Sequence, residues 1–293
     1  MARAHSEEPH HGLLHLFLVV FTFLTLYPVF WVFTIAFSGK QSLALADLPD
    51  NPTVWDLLRA ILPWPERWSM ANFVSVFTDQ PFLQWMANSA MIAIATTILG
   101  VFLAMTAAYA FSRFRFPGQK AGMMSFLVSQ MFPGTLMLIP LYIIVVQWLG
   151  LGSTRLGLIL VYGTTSIPFS VWMLKGYFDT IPKELEEAAI IEGASAGQIF
   201  WRIIIPLARP ALAITALFSF MSAWNEFILA ATLMDREDMY TAPIGLRFFV
   251  GGFSQQWGYF AAGSIIVSIP VVVLFLYLQK YLVSGLTAGS VKG

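Results

Sequence analysis

The chain has 293 residues, of which 58% are hydrophobic and only 11% charged, with zero net charge and no cysteine. Soluble domains carry about 25% charged residues, so the deficit selects an integral membrane protein, and the charge balance excludes a nucleic-acid footprint. Without Cys, disulfides, thiolate metal sites and cysteine nucleophiles are excluded; with all histidines near the start (His5, His10, His11 and His15), none remains in the spans to ligate haem or zinc or to act as a base, which disfavours a membrane enzyme or redox carrier.

A membrane helix needs about 20 mostly apolar residues. Six such stretches are predicted: Leu13 to Phe37, Phe82 to Phe111, Ala121 to Leu149, Leu156 to Leu174, Ala211 to Met234, and Tyr259 to Val283. The first has an apolar core longer than a signal peptide's and only Arg3 before it, which favours a retained anchor. Residues 1–37 thus form an N-terminal segment and first span, and 82–283 carry the remaining five spans. The intervening loop, 38–81, carries Pro49, Pro52, Pro63 and Pro65, with Trp55, Trp64 and Trp68. Tryptophan prefers the membrane interface, so short interfacial helices are expected there. With the N-terminus inside, ten Lys and Arg fall on the inner side (Arg3, Arg113, Arg115, Lys120, Lys175, Lys183, Arg202, Arg209, Lys280, Lys292) and six outside. Both termini are therefore expected in the cytoplasm. The outer loop 235–258 holds Gly251 and Gly252, which permit tight turns. It reads as an ordinary surface loop or as a docking element for an external partner. Pro28, Pro133, Pro140, Pro168 and Pro270 interrupt spans, either as ordinary kinks or as broken helices along a solute path.

Between the fourth and fifth spans, residues 179–210 form a polar island on the inner side. Asp179 or Thr180 can cap a helix with Pro182 in its first turn, and Glu184, Glu186 and Glu187 suit the positive end of its dipole. Leu185, Ala188, Ala189 and Glu192 share a face, and Gly193 can end the helix in a left-handed conformation. Ser195-x-x-Gln198 is a capping box opening a second helix, which carries Ile199, Phe200, Ile203 and Ile204 and ends by Pro206 and Pro210. The island reads as a simple tie between spans, as an amphipathic helix on lipid, or as a knob for a cytoplasmic partner. Its acidity disfavours an anionic leaflet.

The segment resembles the EAA signature of binding-protein-dependent ABC importer permeases: Glu187-Ala188-Ala189, then Gly193, Ile203 and Ile205-Pro206, with Ile205 where that pattern has Leu. Asn88-Ser89 and AAYAFSRFRFPG (107–118) resemble the sugar-permease branch. SQMFP (129–133), KGYFDTIP (175–182) and the ending GLTAGSVKG (285–293) resemble the MalG-like second membrane subunits of maltose/maltodextrin importers.

The resemblance implies an all-α type I importer transmembrane domain with six spans and cytoplasmic coupling helices, in a bacterial inner membrane. Its implied partners are a second (MalF-like) permease subunit, a MalK-like ATPase dimer, a periplasmic sugar-binding protein, the sugar and the bilayer. Nothing here matches G-x-x-x-x-G-K-[ST], the loop that cradles nucleotide phosphates. The chain is thus expected to be no enzyme and to bind no cofactor or metal itself, ATP-Mg being held by the partner ATPase. Glu187, Ala188, Ala189, Gly193, Ile203 and Pro206 are implied at the ATPase contact. Thr287, Ala288, Gly289, Val291, Lys292 and Gly293, in the cytoplasmic tail 284–293, are implied to reach between the ATPase subunits. Gly251, Gly252 and Gln255 are implied in the loop that meets the binding protein. Asn225 and Glu226 are candidates for the translocation path. Glu226 is the carboxylate inside a span, a functional candidate on that ground. The rival function is a stand-alone proton-coupled secondary sugar transporter relaying protons through Glu226.

Overall fold

The computed structural model describes residues 11–44, 48–252 and 255–289. All regular elements among them are helical. Four helices are long and apolar enough to cross a membrane, and two bent helix pairs raise the number to six if each pair is one span. The chain divides into two compact units.

The first unit comprises residues 1–80 and 246–266. Helix α1 (His11–Phe37) is strongly apolar, and its most apolar stretch buries nothing within the chain, which suits a helix surrounded by lipid. The loop after it folds into α2 (Val54–Ile61) and α3 (Ala71–Thr78), the short helices expected there. Thr53 opens α2 with a capping box closed by Asp56, and Trp55 stays exposed on it. The loop is tied back to α1: the Tyr27 hydroxyl donates to Ile61 O at 2.5 Å and Thr34 Oγ1 to Pro63 O at 2.7 Å. Buried Asn72 donates through Nδ2 to Ile35 O and Ala36 O, satisfying carbonyls that a helix end leaves open.

The second unit comprises residues 81–245 and 267–293. Its centre is a three-helix core of α4 (Phe82–Arg113), α7 (Arg155–Thr180) and α11 (Arg209–Asn225). The predicted third span is not straight. It is α5 (Gln119–Met131), then a 3-10 turn (Gly134–Met137), α6 (Leu138–Tyr142) and a π turn (Ile143–Trp148), with a 99° bend between the halves. Pro133 supplies the reason: it lacks an N–H and forces Phe132 into extended backbone. The predicted fifth span also breaks. Helix α11 stops at Asn225, and α12 (Ile228–Leu233) restarts after an extended Glu226. Helix α14 (Trp257–Gly289) runs past Val283, so Thr287, Ala288 and Gly289 form its last turn. Val291, Lys292 and Gly293 lie outside the described residues.

The core residues sort into two apolar clusters. One gathers Ile92, Leu158, Tyr162, Phe220 and Trp224; the other gathers Ala104, Ala108, Val171, Leu174, Phe178 and Ile204. Between them all three helices switch to small or hydroxyl residues: Thr96 and Gly100 on α4, Ser166 and Ser170 on α7, Thr215 and Ser219 on α11, all buried. A Cβ on Gly100 would stand 3.4 Å from Ser166 Oγ and 3.6 Å from Ser219 Oγ, so the three helices converge at this glycine.

Candidate coupling site

Between α7 and α11 the polar island folds into a helical hairpin. Helix α8 (Glu184–Ile191) starts after Lys183, whose side chain makes no cap bond. Neither Asp179 nor Thr180 caps it, because α7 runs through both. Asp179 instead accepts from Lys175 Nζ and Ser112 Oγ, each at 2.6 Å, which locks the end of α7 to the end of α4.

Helix α8 ends as the sequence specifies. Gly193 has φ +83°, a left-handed conformation that glycine adopts without a Cβ penalty. Its N–H reaches Ile190 O at 3.0 Å, and the Ala194 N–H reaches Ala189 O at 2.9 Å. This pair of bonds is a Schellman closure, and Ala194 and Ala189 pack in the same cluster. Ser195 then caps α9 (Ala196–Ile199) through the expected box: Ser195 Oγ accepts from Gln198 N, and Gln198 Oε1 accepts from Ser195 N at 2.8 Å. The helix does not stop at Pro206. It passes through a π turn (Phe200–Ile204) into α10 (Ile205–Leu207). Pro206 sits in the first turn of α10, where a missing N–H costs least. The chain then bends by 77° into α11.

The hairpin is anchored by a residue that sequence reasoning left among the dipole-favoured acids. Glu186 turns inward and is 9% exposed. Its carboxylate accepts from Arg113 Nε and, at 3.0 Å, from the Tyr109 hydroxyl. Both Arg113 and Tyr109 belong to the last turns of α4. Arg113 also donates to Ile181 O at 3.1 Å and to Ser112 Oγ at 2.9 Å. Side-chain exposures of 6% for Arg113 and 12% for Glu186 make this a buried ion pair. One network therefore joins the ends of α4, α7 and α8. The basic end of α4, SRFRFPG, was the available signal for it.

The hairpin's outer surface differs from the expected alanine patch. Glu187 and Ala188 are exposed, but Ala189 is 7% exposed and packs against the chain's own Phe178, Ile199 and Phe200 cluster. What faces outward is Leu185, Ile190 and, at 87% exposure, Ile191. Ile203 and Pro206 are half-buried. The hairpin presents an apolar tip with acids around it and is fixed by a buried ion pair to the end of a long helix.

The other predicted positions fall elsewhere. The loop 235–258 is structured by the 3-10 turn Glu237–Met239 and by α13 (Ala242–Phe248). Asn88 holds it through Nδ2 to Asp238 O and Tyr240 O, both at 2.9 Å, and Ser89 Oγ accepts from Ala242 N at 2.8 Å. Gly251 and Gly252 are exposed, and neither has a positive φ. Gln255 Oε1 accepts from Trp257 Nε1 at 3.0 Å. Glu226 accepts from Leu229 N at 2.8 Å and Ala230 N at 3.0 Å. Each of its carboxylate oxygens thus accepts a backbone N–H from the first turn of α12. Asn225 is exposed and continues, at i+3 and i+7, the face of α11 that carries Ser222 and Phe218.

Comparison with known proteins agrees with this architecture. Residues 97–287 match the family described as binding-protein-dependent transport system inner membrane component. The maltodextrin transport system permease protein MdxG of Bacillus subtilis is 34% identical, covering 95% of each chain. The galactooligosaccharides transport system permease protein GanQ of the same organism is 36% identical, covering 95% of this chain and 94% of its own. A crystal structure of a bacterial ABC transporter involved in the import of the acidic polysaccharide alginate contains a chain of the same fold, with TM-score 0.75, 24% identity, and coverage of 96% and 99%. A capped, glycine-closed hairpin between apolar spans, with this family match over most of the chain, makes this protein a member of the binding-protein-dependent transport family of inner membrane permease components.

Proposed function

We propose that this chain is the second membrane subunit of an ATP-binding-cassette importer for maltose/maltodextrin-type sugars. In this reading it pairs with another permease subunit, receives sugar from a periplasmic binding protein, and is moved by an ATPase dimer that alone binds ATP-Mg. Both termini lie in the cytoplasm. The α8–α9 hairpin enters a cleft of the ATPase through Glu187, Ala188, Ile190, Ile191 and the Gly193 turn, and Ile203 and Pro206 support it from behind. Thr287 to Gly293 approach the ATPase from the end of α14, and the loop carrying Gly251, Gly252 and Gln255 meets the binding protein. ATPase closure, transmitted through Glu186 to Arg113, then shifts α4 as a rigid body.

The observation that carries this reading is the buried Arg113–Glu186 pair beneath an outward apolar tip. A mere tie between spans needs neither. The maltodextrin assignment rests on the SQMFP, KGYFDTIP and C-terminal motifs and on the relative MdxG.

The test is Gly193→Asp. Nothing lies within 4 Å of a Cβ there, so the added side chain meets only the partner, while φ +83° penalises any non-glycine residue. Membrane insertion is expected to be normal, while the ATPase is lost on purification in detergent. An ATPase that stays bound with full transport refutes the coupling role. Uptake of galactooligosaccharides instead of maltodextrins by the assembled importer refutes the sugar assignment.

A further inference from the structure

The loop between α1 and α3 does not stand clear of the membrane as an ordinary surface loop would. It dips back down the side of α1. The Thr34 hydroxyl donates to Pro63 O and, two turns deeper, the Tyr27 hydroxyl donates to Ile61 O. The chain then rises: Lys40 Nζ pairs with Glu66 at 2.9 Å, and Ser69 N donates to Phe37 O at 2.7 Å. Residues 61–66 thus climb α1 from Tyr27 to just beyond its C-terminal end.

The length of α1 sets the depth of that dip. A hydrocarbon core of about 30 Å takes about 20 helical residues. Counted from Leu13, where the apolar run begins, it ends near Val32. Thr34 and Phe37 then stand at the headgroup level. Tyr27, five residues below Val32, lies about 8 Å inside the hydrocarbon.

Helix α2 ends at this depth, and its side chains suit it. Val54, Leu57, Leu58 and Ile61 share one face at i, i+3, i+4 and i+7, and all four are exposed. Asp56 and Arg59 lie on the opposite face. Trp64 and Trp68 are exposed and meet edge-on with centroids 5.4 Å apart, and Trp68 packs against Phe37. They therefore stand where interfacial tryptophans gather. The backbone suits the depth too. A carbonyl left open in hydrocarbon is costly, and the carbonyls of Ile61 and Pro63, which no helix bond reaches, are both satisfied by hydroxyls of α1. At the other end the Thr53–Asp56 box closes the helix.

We propose that α2 is a re-entrant, lipid-embedded helix, its apolar face about 8 Å deep among the acyl chains of the leaflet at the C-terminal end of α1. Amphipathic interfacial helices settle at about 5–10 Å. The occupant of this face is lipid because α1, which the dip follows, buries nothing along its most apolar stretch, so the two exposed surfaces are continuous. Asp56 and Arg59 balance in charge, so the helix binds acyl chains without selecting anionic headgroups. The reading above makes this leaflet the periplasmic one; the side of the membrane is the part of the inference that rests on it.

The test uses the absence of cysteine from this chain. Leu58→Cys, Ile61→Cys and Arg59→Cys are each spin-labelled in the complete importer, built with cysteine-free partner subunits, in phosphatidylcholine vesicles. Collisions with oxygen report lipid and collisions with a water-soluble nickel chelate report water. The labels at 58 and 61 should respond to oxygen with loss of the nickel effect, and the label at 59 should keep the nickel effect. Nickel access at all three positions puts α2 in water and overturns the proposal. Access of neither reagent at 58 and 61 puts a partner subunit on that face and overturns it as well. Removing the Tyr27 hydroxyl by Tyr27→Phe deletes one hydrogen bond and should raise the labelling rate of Ile61→Cys by a membrane-impermeant maleimide about fivefold; an unchanged rate overturns the tie to α1. Ser42→Cys, beyond the end of α1, should react with the same reagent on intact cells. Failure there overturns the orientation in the reading above and leaves the embedded helix standing.

Discussion

Replacing Glu186 by Ala tests the hairpin's anchor most directly. The substitution leaves the Arg113 guanidinium, 6% exposed, buried without its carboxylate. Exposed ion pairs contribute about 0–1 kcal/mol, but this pair is nearly dry, and removing one partner of a buried pair costs about 3–5 kcal/mol. The Tyr109 hydroxyl also loses its acceptor, adding about 1 kcal/mol. Taken together, the docked hairpin loses roughly three to four orders of magnitude in population relative to detached forms, at 1.4 kcal/mol per factor of ten. Thermal unfolding of the purified importer and sugar uptake in proteoliposomes are the assays. Glu186→Ala should lower the melting temperature and abolish ATP-coupled uptake. Glu186→Gln keeps an acceptor for Tyr109 and should fall between the two. Arg113→Leu/Glu186→Leu removes both charges and should regain much of the stability. Wild-type melting and wild-type uptake for Glu186→Ala would refute the anchor.

Three further substitutions probe other joints. Glu226→Ala removes the cap of α12 and should destabilise the outer part of the fifth span by about 1–2 kcal/mol, read as faster hydrogen exchange at Leu229 and Ala230; a proton-gradient dependence of uptake would instead favour a relay. Gly245→Ala places a Cβ on the Trp85 indole, which is 1% exposed, and overpacking should cost about 1–3 kcal/mol in a chemical unfolding series. Asn88→Leu removes the Asn88 bonds to Asp238 O and Tyr240 O, leaving Gln84 Nε2 on Asp238 O, and leaves Arg155 without its 3.0 Å contact to Asn88; limited proteolysis should then cut the 235–245 segment faster, and an unchanged cleavage pattern would refute the clamp.

The sequence alone determined the features that depend on neighbours in the chain. Span length and apolarity announce membrane helices because lipid cannot satisfy backbone groups. Gly193 and Ser195-x-x-Gln198 announce the hairpin because Schellman closures and capping boxes are built within six residues. Thr53 and Asp56 are local in the same way, and so is the short helix α2 they begin. The bends at Pro133 and Glu226 were half legible: a proline can kink a span or break it, and a carboxylate in a span can relay protons or cap a helix. Only the fold decides which, because the answer depends on whether neighbouring backbone offers its N–H groups. Tertiary structure alone separated Glu186 from Glu187. The two are adjacent in sequence and alike in charge, yet one faces Arg113, 73 residues away, and the other faces outward. It also brought the Ser166 and Ser219 hydroxyls together beside Gly100. Their side chains read as ordinary small residues along each helix, and become a polar layer only where three helices meet.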